Sequence, residues 1–437
     1  MRIAFFTDTA YPVKDGVSII TKELAEYFCK AGHEVILFSL GHRDEILDFG
    51  KLKIYKFKSK TINVYPAYQY SLIKPTRKIY KILQEFDPDI IHSHSNFVMG
   101  AVAYQMACRL NKPFVSTFHT FIIDFACQVL DGYSNEFTPP MKFISKFKPA
   151  NSFVKLLIRG LGDLGLASYY NLPDRVTVPS KICKDYISFH CPDQKVDVIP
   201  NFYNSGGKRT RETVLRKKYN INKKDFVILH VGRISTEKRI DIVIKVAANL
   251  MAKYDNIKLI ITSDGPVKKD MQTLAKELGI SKKVIFTGYI DEKDLKGLYK
   301  LSNVFVSPAL FETFNVSAMT AMDFAIPIVG AESNGLKSII INGYNGFLVK
   351  HENNEIYNYS KKIELICKDR KLAGKLGANG IKLAKKMNIK AVAKQYIQTY
   401  KKTKPHKKGV FKTINYGIYS MLMFDTYLCA YIFFFLP

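Results

Sequence analysis

Short β-branched, apolar runs alternate with helix-length amphipathic segments along almost the whole chain, and few folds accept that pattern. Strands joined through helices pair in parallel, so the alternation predicts βα units around parallel sheets. In the first half the expected strands are Ile3–Thr7, Glu34–Ser39, Ile90–Ser93, Phe114–Phe118, Arg175–Val178 and Val196–Ile199, with helices at 18–31, 97–110 and 180–190. A looser basic segment, Asn201–Lys224, carries Gly206 and Gly207 and reads as a linker. The pattern restarts with FVILHVG (226–232), IKLIITSDG (257–265), KVIFTGY (283–289), NVFVSP (303–308), IPIVG (326–330) and GFLV (346–349). Helices fit at 239–253, 266–279, 292–301, 315–325 and 354–388. At 437 residues the chain exceeds one ordinary core. The expected architecture is therefore α/β, with two doubly wound, Rossmann-like domains facing each other across a cleft and ligands at the carboxyl ends of the strands. Boundaries fall at 1–205 and 206–385, followed by a closing helix at 386–405 and a basic, then apolar, tail at 406–437.

Charge narrows the partners. A balance of +28 implies a polyanion, either nucleic acid or an anionic membrane surface, or else a proteome that uses lysine freely. Residues 49–84 contain no acid but offer Lys51, Lys53, Lys56, Lys58, Lys60, Lys74, Arg77, Lys78 and Lys81, interleaved with aromatic residues. A second acid-free stretch runs from Phe137 to Gly162. Such faces suit single-stranded nucleic acid or a lipid headgroup surface, or are ordinary solvated faces. Seven scattered cysteines without a C-x-x-C pair read as reduced thiols, excluding a disulfide framework or zinc site. The opening RIAFFT runs straight into a strand pattern, so no secretory leader is expected. The tail YGIYSMLMFDTYLCAYIFFFLP (416–437) approaches the roughly 20 residues of a membrane span, with Asp425 near its middle. KKTKPHKKGVFK just before it would face the cytoplasm. The alternative is a closing segment packed on the body.

The strand-end loops carry the chemistry. TDTAYPVKDGVS (7–18) places Gly16 at a helix start, where backbone N–H groups can meet a phosphate. A helix-capping turn with Asp15 and Ser18 needs the same residues. GRISTEKR (232–239) offers Arg233 and Lys238 to a diphosphate, or forms a solvated basic loop. His119 ends a strand in STFHT, placed for substrate contact or held as a structural histidine. Glu312 follows NVFVSP and precedes a helix starting near Asn315, so it either points at a ligand or merely favours the helix dipole.

Together TDTAYPVKDGVS, PDIIHSHS (88–95), STFHT, RVTVPSK, VIPN, VGRISTEKRID, SDGP, FTGYI and FETFNVSAMTAM resemble the retaining glycosyltransferases of family 4, which have the GT-B fold. The likeness runs over roughly residues 1–400, and the opening motif with T-x-H-T looks most like enzymes that glycosylate diacylglycerol-type lipids. The resemblance implies transfer of a hexose from a nucleoside diphosphate sugar, a UDP-sugar first among them, with the anomeric configuration kept. Gly16, Arg233 and Lys238 would hold the diphosphate, and the helix start at Asn315 and Val316 would add backbone donors. His119 would sit over the sugar's reacting face, Glu312 would orient its hydroxyls, and Tyr289 would lie by the nucleobase. Fixed cations can stabilise the leaving diphosphate, so no metal or other cofactor is implied. The D-P-D at Asp87–Asp89 accordingly reads as a turn.

Two positions depart from the family. Its Glu-x7-Glu pattern becomes Glu312 and Thr320 here, and a neutral hydroxyl in place of a ribose-gripping carboxylate weakens nucleotide binding by about 1 to 2 kcal/mol. Where G-G-x-x-E is common this chain has NGLKS, Asn334–Ser338. The expected protein acts on a membrane lipid from the cytoplasmic face, peripherally or through its tail, without binding nucleic acid. A transferase extending a surface polysaccharide, and a weakened GT-B binding protein, are the alternatives.

Overall fold

The computed structural model describes the chain outside residues 12–15, 60, 66–67, 72–75, 122, 124–147, 204–205, 311, 406–413 and 422–437, and gives backbone alone at 61–65, 68–71, 148–155 and 157–158. Two compact units form: Met1–Asn201 with Ile389–Pro437, and Phe202–Asn388.

The first unit is built on β1 (Arg2–Phe6), β2 (Glu34–Gly41), β3 (Glu45–Asp48), β4 (Leu52–Lys58), a hairpin of β5 (Thr61–Tyr65) and β6 (Tyr68–Ser71), then β7 (Ile90–Ser93), β8 (Phe114–Thr117), β9 (Arg175–Val178) and β10 (Val196–Val198). Its main sheet has the order β10-β9-β8-β7-β1-β2-β4-β3, parallel except for the β3–β4 edge. From β1 the chain winds outward to β4 and then returns to β7 on the other side. The strand order therefore reverses between β1 and β7, which opens a ligand crevice at their carboxyl ends. Ile3, Phe5, Ile90, Ile91 and Val115 are fully buried, as strands covered on both faces require.

In the second unit β11 (Phe226–Val231), β12 (Ile257–Thr262), β13 (Val284–Phe286), β14 (Val304–Ser307), β15 (Ile328–Ala331) and β16 (Gly346–Val349) form one parallel sheet, ordered β13-β12-β11-β14-β15-β16. Here the reversal lies between β11 and β14. The loops after those two strands, 232–239 and 308–315, hold Lys238 and Glu312.

Several elements differ from the sequence reading. Segment 354–388 is two helices, Glu355–Lys368 and Arg370–Ala384, because Asp369 caps the second through Leu372 N at 2.9 Å. The linker contains a helix, Glu212–Lys218, and helices Thr76–Phe86 and Lys148–Tyr170 appear where charge had dominated the reading. The acid-free window is also less bare than its sequence suggests. Strand β3 and the turn before it bring Asp48 to 3.7 Å from Lys53, Glu45 to 3.5 Å from Lys56, and Asp44 to 2.5 Å from Lys78. The side chains of 60–75 and residues 137–147 of the second basic stretch lie outside the described residues.

After the second unit the chain returns to the first. Helix Ile389–Lys402 packs on helix Gly16–Lys30, burying Tyr396 and Tyr400, and Thr399 donates to Asp197 at 2.8 Å. Residues 414–421 form a further helical turn whose Tyr419 is buried and donates to Asn96 O and Phe97 O at 2.6 and 2.9 Å. This start of the tail packs on the first unit; 406–413 and 422–437 lie outside the described residues. Among the described residues no helix is long and apolar enough to cross a membrane.

Candidate active site

In the second unit, the loop after β11 turns through a short helical segment, Thr236–Lys238, and then through Arg239, whose φ of 52° is left-handed. That turn re-aims the chain into helix Ile240–Met251 and leaves Lys238 Nζ 2.7 Å from Glu312 Oε1. Glu312 is thus engaged by a cation on the neighbouring switch-point loop. Its other oxygen, Oε2, is buried without a hydrogen-bond partner among the described residues.

A second carboxylate lies on the same loop. Glu237 Oε1 accepts from Arg233 Nη2 at 2.8 Å and from Ser235 Oγ at 2.6 Å, while its Oε2 is buried and unpartnered among the described residues. Burial pushes the Glu237 carboxyl upward, but the Arg233 charge and these hydrogen bonds outweigh it and hold the group below the ordinary glutamate value. The loop and its partner therefore bring two cations and two carboxylates together, with two carboxylate oxygens that meet no donor among the described residues. Beneath them His230 gives Nδ1–H to Val306 O at 2.9 Å, and burial lowers its pKa to about 4, so the ring is neutral at pH 7.

Two glycines permit this packing. A Cβ at Gly265 would lie 2.0 Å from Ile234 O, and one at Gly335 would lie 2.5 Å from Glu312 O. The second belongs to NGLKS. In place of a family acid, that segment supplies the bare backbone against which Glu312 rests, and Ser338 Oγ closes it onto Gly335 O at 2.5 Å.

Helix Val316–Asp323 starts from a firm cap: Asn315 Oδ1 accepts from Ala318 N at 2.7 Å, and its Nδ2 donates to Ser307 Oγ at 3.0 Å. The Asn315 side chain is thus occupied in holding the helix, leaving Val316 at its first turn. Thr320 Oγ1 donates back to Val316 O at 2.9 Å, so its proton is spent within the helix. Tyr289 follows the left-handed Gly288 beyond β13 and is 66% exposed, an aromatic face open to stacking.

The first unit presents its own cluster at the carboxyl ends of β1, β7 and β8. Gly16 starts its helix exposed, and a Cβ there would touch nothing within 4 Å; residues 12–15 of its loop lie outside the described residues. His119 follows β8, with Nε2 3.0 Å from His94 Nδ1, and burial lowers its pKa to about 4. Behind His94, buried His92 bridges Tyr400 OH and Thr117 Oγ1 at 2.7 Å each. The D-P-D lies at the opposite edge as a turn, Asp87 at φ 44° pairing with Arg2 and Lys112 at 2.6 Å each.

Asp8 and His94 belong to this cluster although neither was singled out in the sequence; their signal was position, immediately past β1 and β7. Asp8 Oδ1 accepts from Met99 N at 3.0 Å, its Oδ2 accepts from Ser95 Oγ, and Ser95 Oγ accepts from Phe97 N at 3.1 Å. Helix Val98–Leu110, whose N-cap Phe97 makes no side-chain cap, is thereby capped by another strand's carboxylate. Burial pushes the Asp8 carboxyl up to about 7 against the pull of the Met99 N–H. An unfolded aspartate ionises near pH 4, so stability from this site is full below about pH 4 and falls as the pH rises to about 7. Asp8→Asn keeps an acceptor for Met99 and is expected to remove that fall. Because Asp8 keeps some exposure, the variant should gain on the order of 1 to 2 kcal/mol relative to the parent between pH 4 and 8, read from urea unfolding at each pH.

Among known proteins, the model for Glycosyltransferase Family 4 matches residues 14–205 and that for Glycosyl transferases group 1 matches 211–383. The alpha-monoglucosyldiacylglycerol synthase of Streptococcus pneumoniae is 27% identical over 78% of this chain and 73% of its own length. Among solved structures, sucrose-phosphate synthase of Thermosynechococcus elongatus superposes with a TM-score of 0.69 at 19% identity, covering 92% of this chain and 98% of that one. HepE of Anabaena, solved with UDP and glucose, gives 0.66 at 16% identity over 92% and 100%. With both sheets wound about a switch point and both halves matched in order, the chain belongs to the family 4 glycosyltransferases and has the GT-B fold.

Proposed function

We propose that this glycosyltransferase moves a hexose from UDP-sugar to a membrane lipid of the diacylglycerol type, keeping the anomeric configuration and using no metal. The observation that carries the reading is the Lys238–Glu312 pair at the β11–β14 switch point, with Glu312 Oε2 meeting no donor among the described residues. A nucleotide sugar answers both needs. Its diphosphate draws the Lys238 ammonium away, its sugar hydroxyls take the vacated place on Glu312, and Arg233 adds charge held in register by Glu237. Cations already in place act on the oxygens that gain charge as the diphosphate leaves, which is where electrostatic stabilisation contributes most. The family resemblance assigns His119 a contact with the donor sugar.

The UDP assignment draws on HepE, solved with UDP and glucose, and the lipid acceptor on the diacylglycerol-type synthase. Leu156, Leu161 and Leu164 are exposed beside Arg159 on helix Lys148–Tyr170, a surface suited to peripheral docking on the anionic inner face of the cell membrane. Nucleic acid is not a partner in this reading, because it would leave the two switch-point sites without a ligand.

Product mass spectrometry with a panel of sugar nucleotides and total lipid extract tests the proposal. A sugar-lipid product from a UDP-sugar is expected. If no sugar nucleotide is consumed, the transferase reading fails, and labelling of water-soluble glycans alone would indicate polysaccharide extension. Thr320→Glu supplies a carboxylate in place of a hydroxyl whose proton goes to Val316 O, and should tighten UDP binding about tenfold by calorimetry. Unchanged affinity would take this helix face away from the ribose.

A further inference from the structure

Loop 94–97 leaves β7 beside β1 and enters helix Val98–Leu110, so it borders the crevice of the first unit. Three parts of the chain hold it. Asp8 takes it from the β1 side, through Ser95 Oγ and Met99 N. From helix Lys148–Tyr170, Tyr169 OH donates to Ser95 O at 2.8 Å. Gly100 lets the loop fold onto the first turn of its helix, since a Cβ there would lie 2.4 Å from that same oxygen. The third hold comes from the tail. Tyr416 and Tyr419, three apart on one helical face, pack on this region, with ring centroids 5.2 Å from Tyr104 and 5.1 Å from Tyr169 respectively. Tyr419 is 3% exposed, and its hydroxyl lies 2.6 Å from Asn96 O and 2.9 Å from Phe97 O. Phe97 O also accepts from Ala101 N at 3.0 Å, whereas Asn96 O meets no other donor among the described residues. Without the Tyr419 hydroxyl the end of the loop would gain conformations that a ligand must then remove, and ordering of that kind weakens binding.

We propose that Tyr419 is a positioning residue for the acceptor: by holding Asn96 and Phe97 it presets loop 94–97, so that the start of the tail completes the crevice of the first unit before a ligand arrives. This rests on the transferase reading, in which the nucleotide lies at the second unit's switch point and the acceptor takes the first unit's own crevice. The family match assigns Tyr419 no role, because the matched segments end at 205 and 383. Its hydroxyl touches loop backbone rather than any reacting atom.

Hydrogen exchange of the full chain, read at the amides of 97–101 without substrate, tests the hold on the loop, and initial rates test its consequence. Tyr419→Phe keeps the ring against Tyr169 but cannot donate. Exchange at 97–101 should quicken about fivefold, and KM for the lipid acceptor should rise about fivefold, with kcat and KM for the UDP-sugar nearly unchanged. Tyr416→Phe is the control. Tyr416 lies on the same turn, but its oxygen accepts from Gln105 Nε2, so exchange at the loop and both KM values should stay at those of the parent. Parent-like exchange and acceptor KM in Tyr419→Phe overturn the proposal, as does the same response in Tyr416→Phe. A fall in kcat with a rise in both KM values, in step with a lower melting temperature, reduces Tyr419 to a packing residue and also overturns it. Should the preparation transfer no sugar, the functional reading fails while the exchange still decides whether Tyr419 holds the loop. If Tyr419→Phe does not fold, the parent decides: amides of 97–101 protected like those of β7 are expected, and exchange as fast as at a frayed helix end overturns the hold.

Discussion

Glu312→Ala is expected to lower sugar transfer by about 10²- to 10³-fold, the scale of losing one preorganised polar group that acts on the reacting sugar. The carboxylate has one oxygen on Lys238 and one facing no donor among the described residues, so truncation removes the acceptor for the sugar and the anchor of Lys238 together. Lys238 is partly exposed and can rehydrate, so the melting temperature should move little. Initial rates beside thermal melts separate chemistry from folding. Rates unaffected by the change would reduce Glu312 to an acid that favours the start of helix Val316–Asp323. A parent that binds UDP-sugar but never turns it over would mark a binding protein that has kept the fold.

The largest stability effect is expected at Glu355. Its carboxylate takes both Nη groups of Arg239, Nη1 at 3.0 Å, and both side chains are about nine-tenths buried. His351 Nδ1 adds a contact at 3.0 Å. Glu355→Ala leaves the guanidinium buried with, among the described residues, only Pro308 O, at 3.4 Å, to accept from it, and should cost about 3 to 5 kcal/mol. Glu355→Gln keeps part of the hydrogen bonding and should cost less. Arg239 begins helix Ile240–Met251 from a left-handed turn, so hydrogen exchange should quicken there first and UDP-sugar binding should weaken with it. A loss below about 1 kcal/mol would show the pair to be screened like a surface bridge.

The parallel core was legible because its runs are apolar on both faces and sharply bounded. Strands 90–93, 175–178 and 346–349 and helix 292–301 were read at their observed limits. The β3–β4 edge was not, since an edge strand is defined by its neighbour, and LKIYKFK was weighed for its lysines while Leu52, Ile54 and Phe57 faced inward. The acids that pair with those lysines come from another strand, which no window along the chain can show. In the site, Lys238 and Glu312 stood out because each follows a strand, but their contact is tertiary. Asp8 and His94 gain meaning only once β1 and β7 are known to be neighbours. Thr320 showed the opposite difficulty: a family position predicted a ligand contact, while the local helix claims the hydroxyl's proton.

The return of helix Ile389–Lys402 to the first unit has a consequence for biogenesis. As the nascent chain leaves the ribosome, the N-terminal sheet emerges first but waits for Tyr396 and Tyr400, which are translated after the entire second unit. The second unit can close its core as one continuous stretch, whereas the first stays unfinished until the whole of the second has been made. During that interval the face that Tyr400 will cover, with His92 beneath it, is open to chaperones.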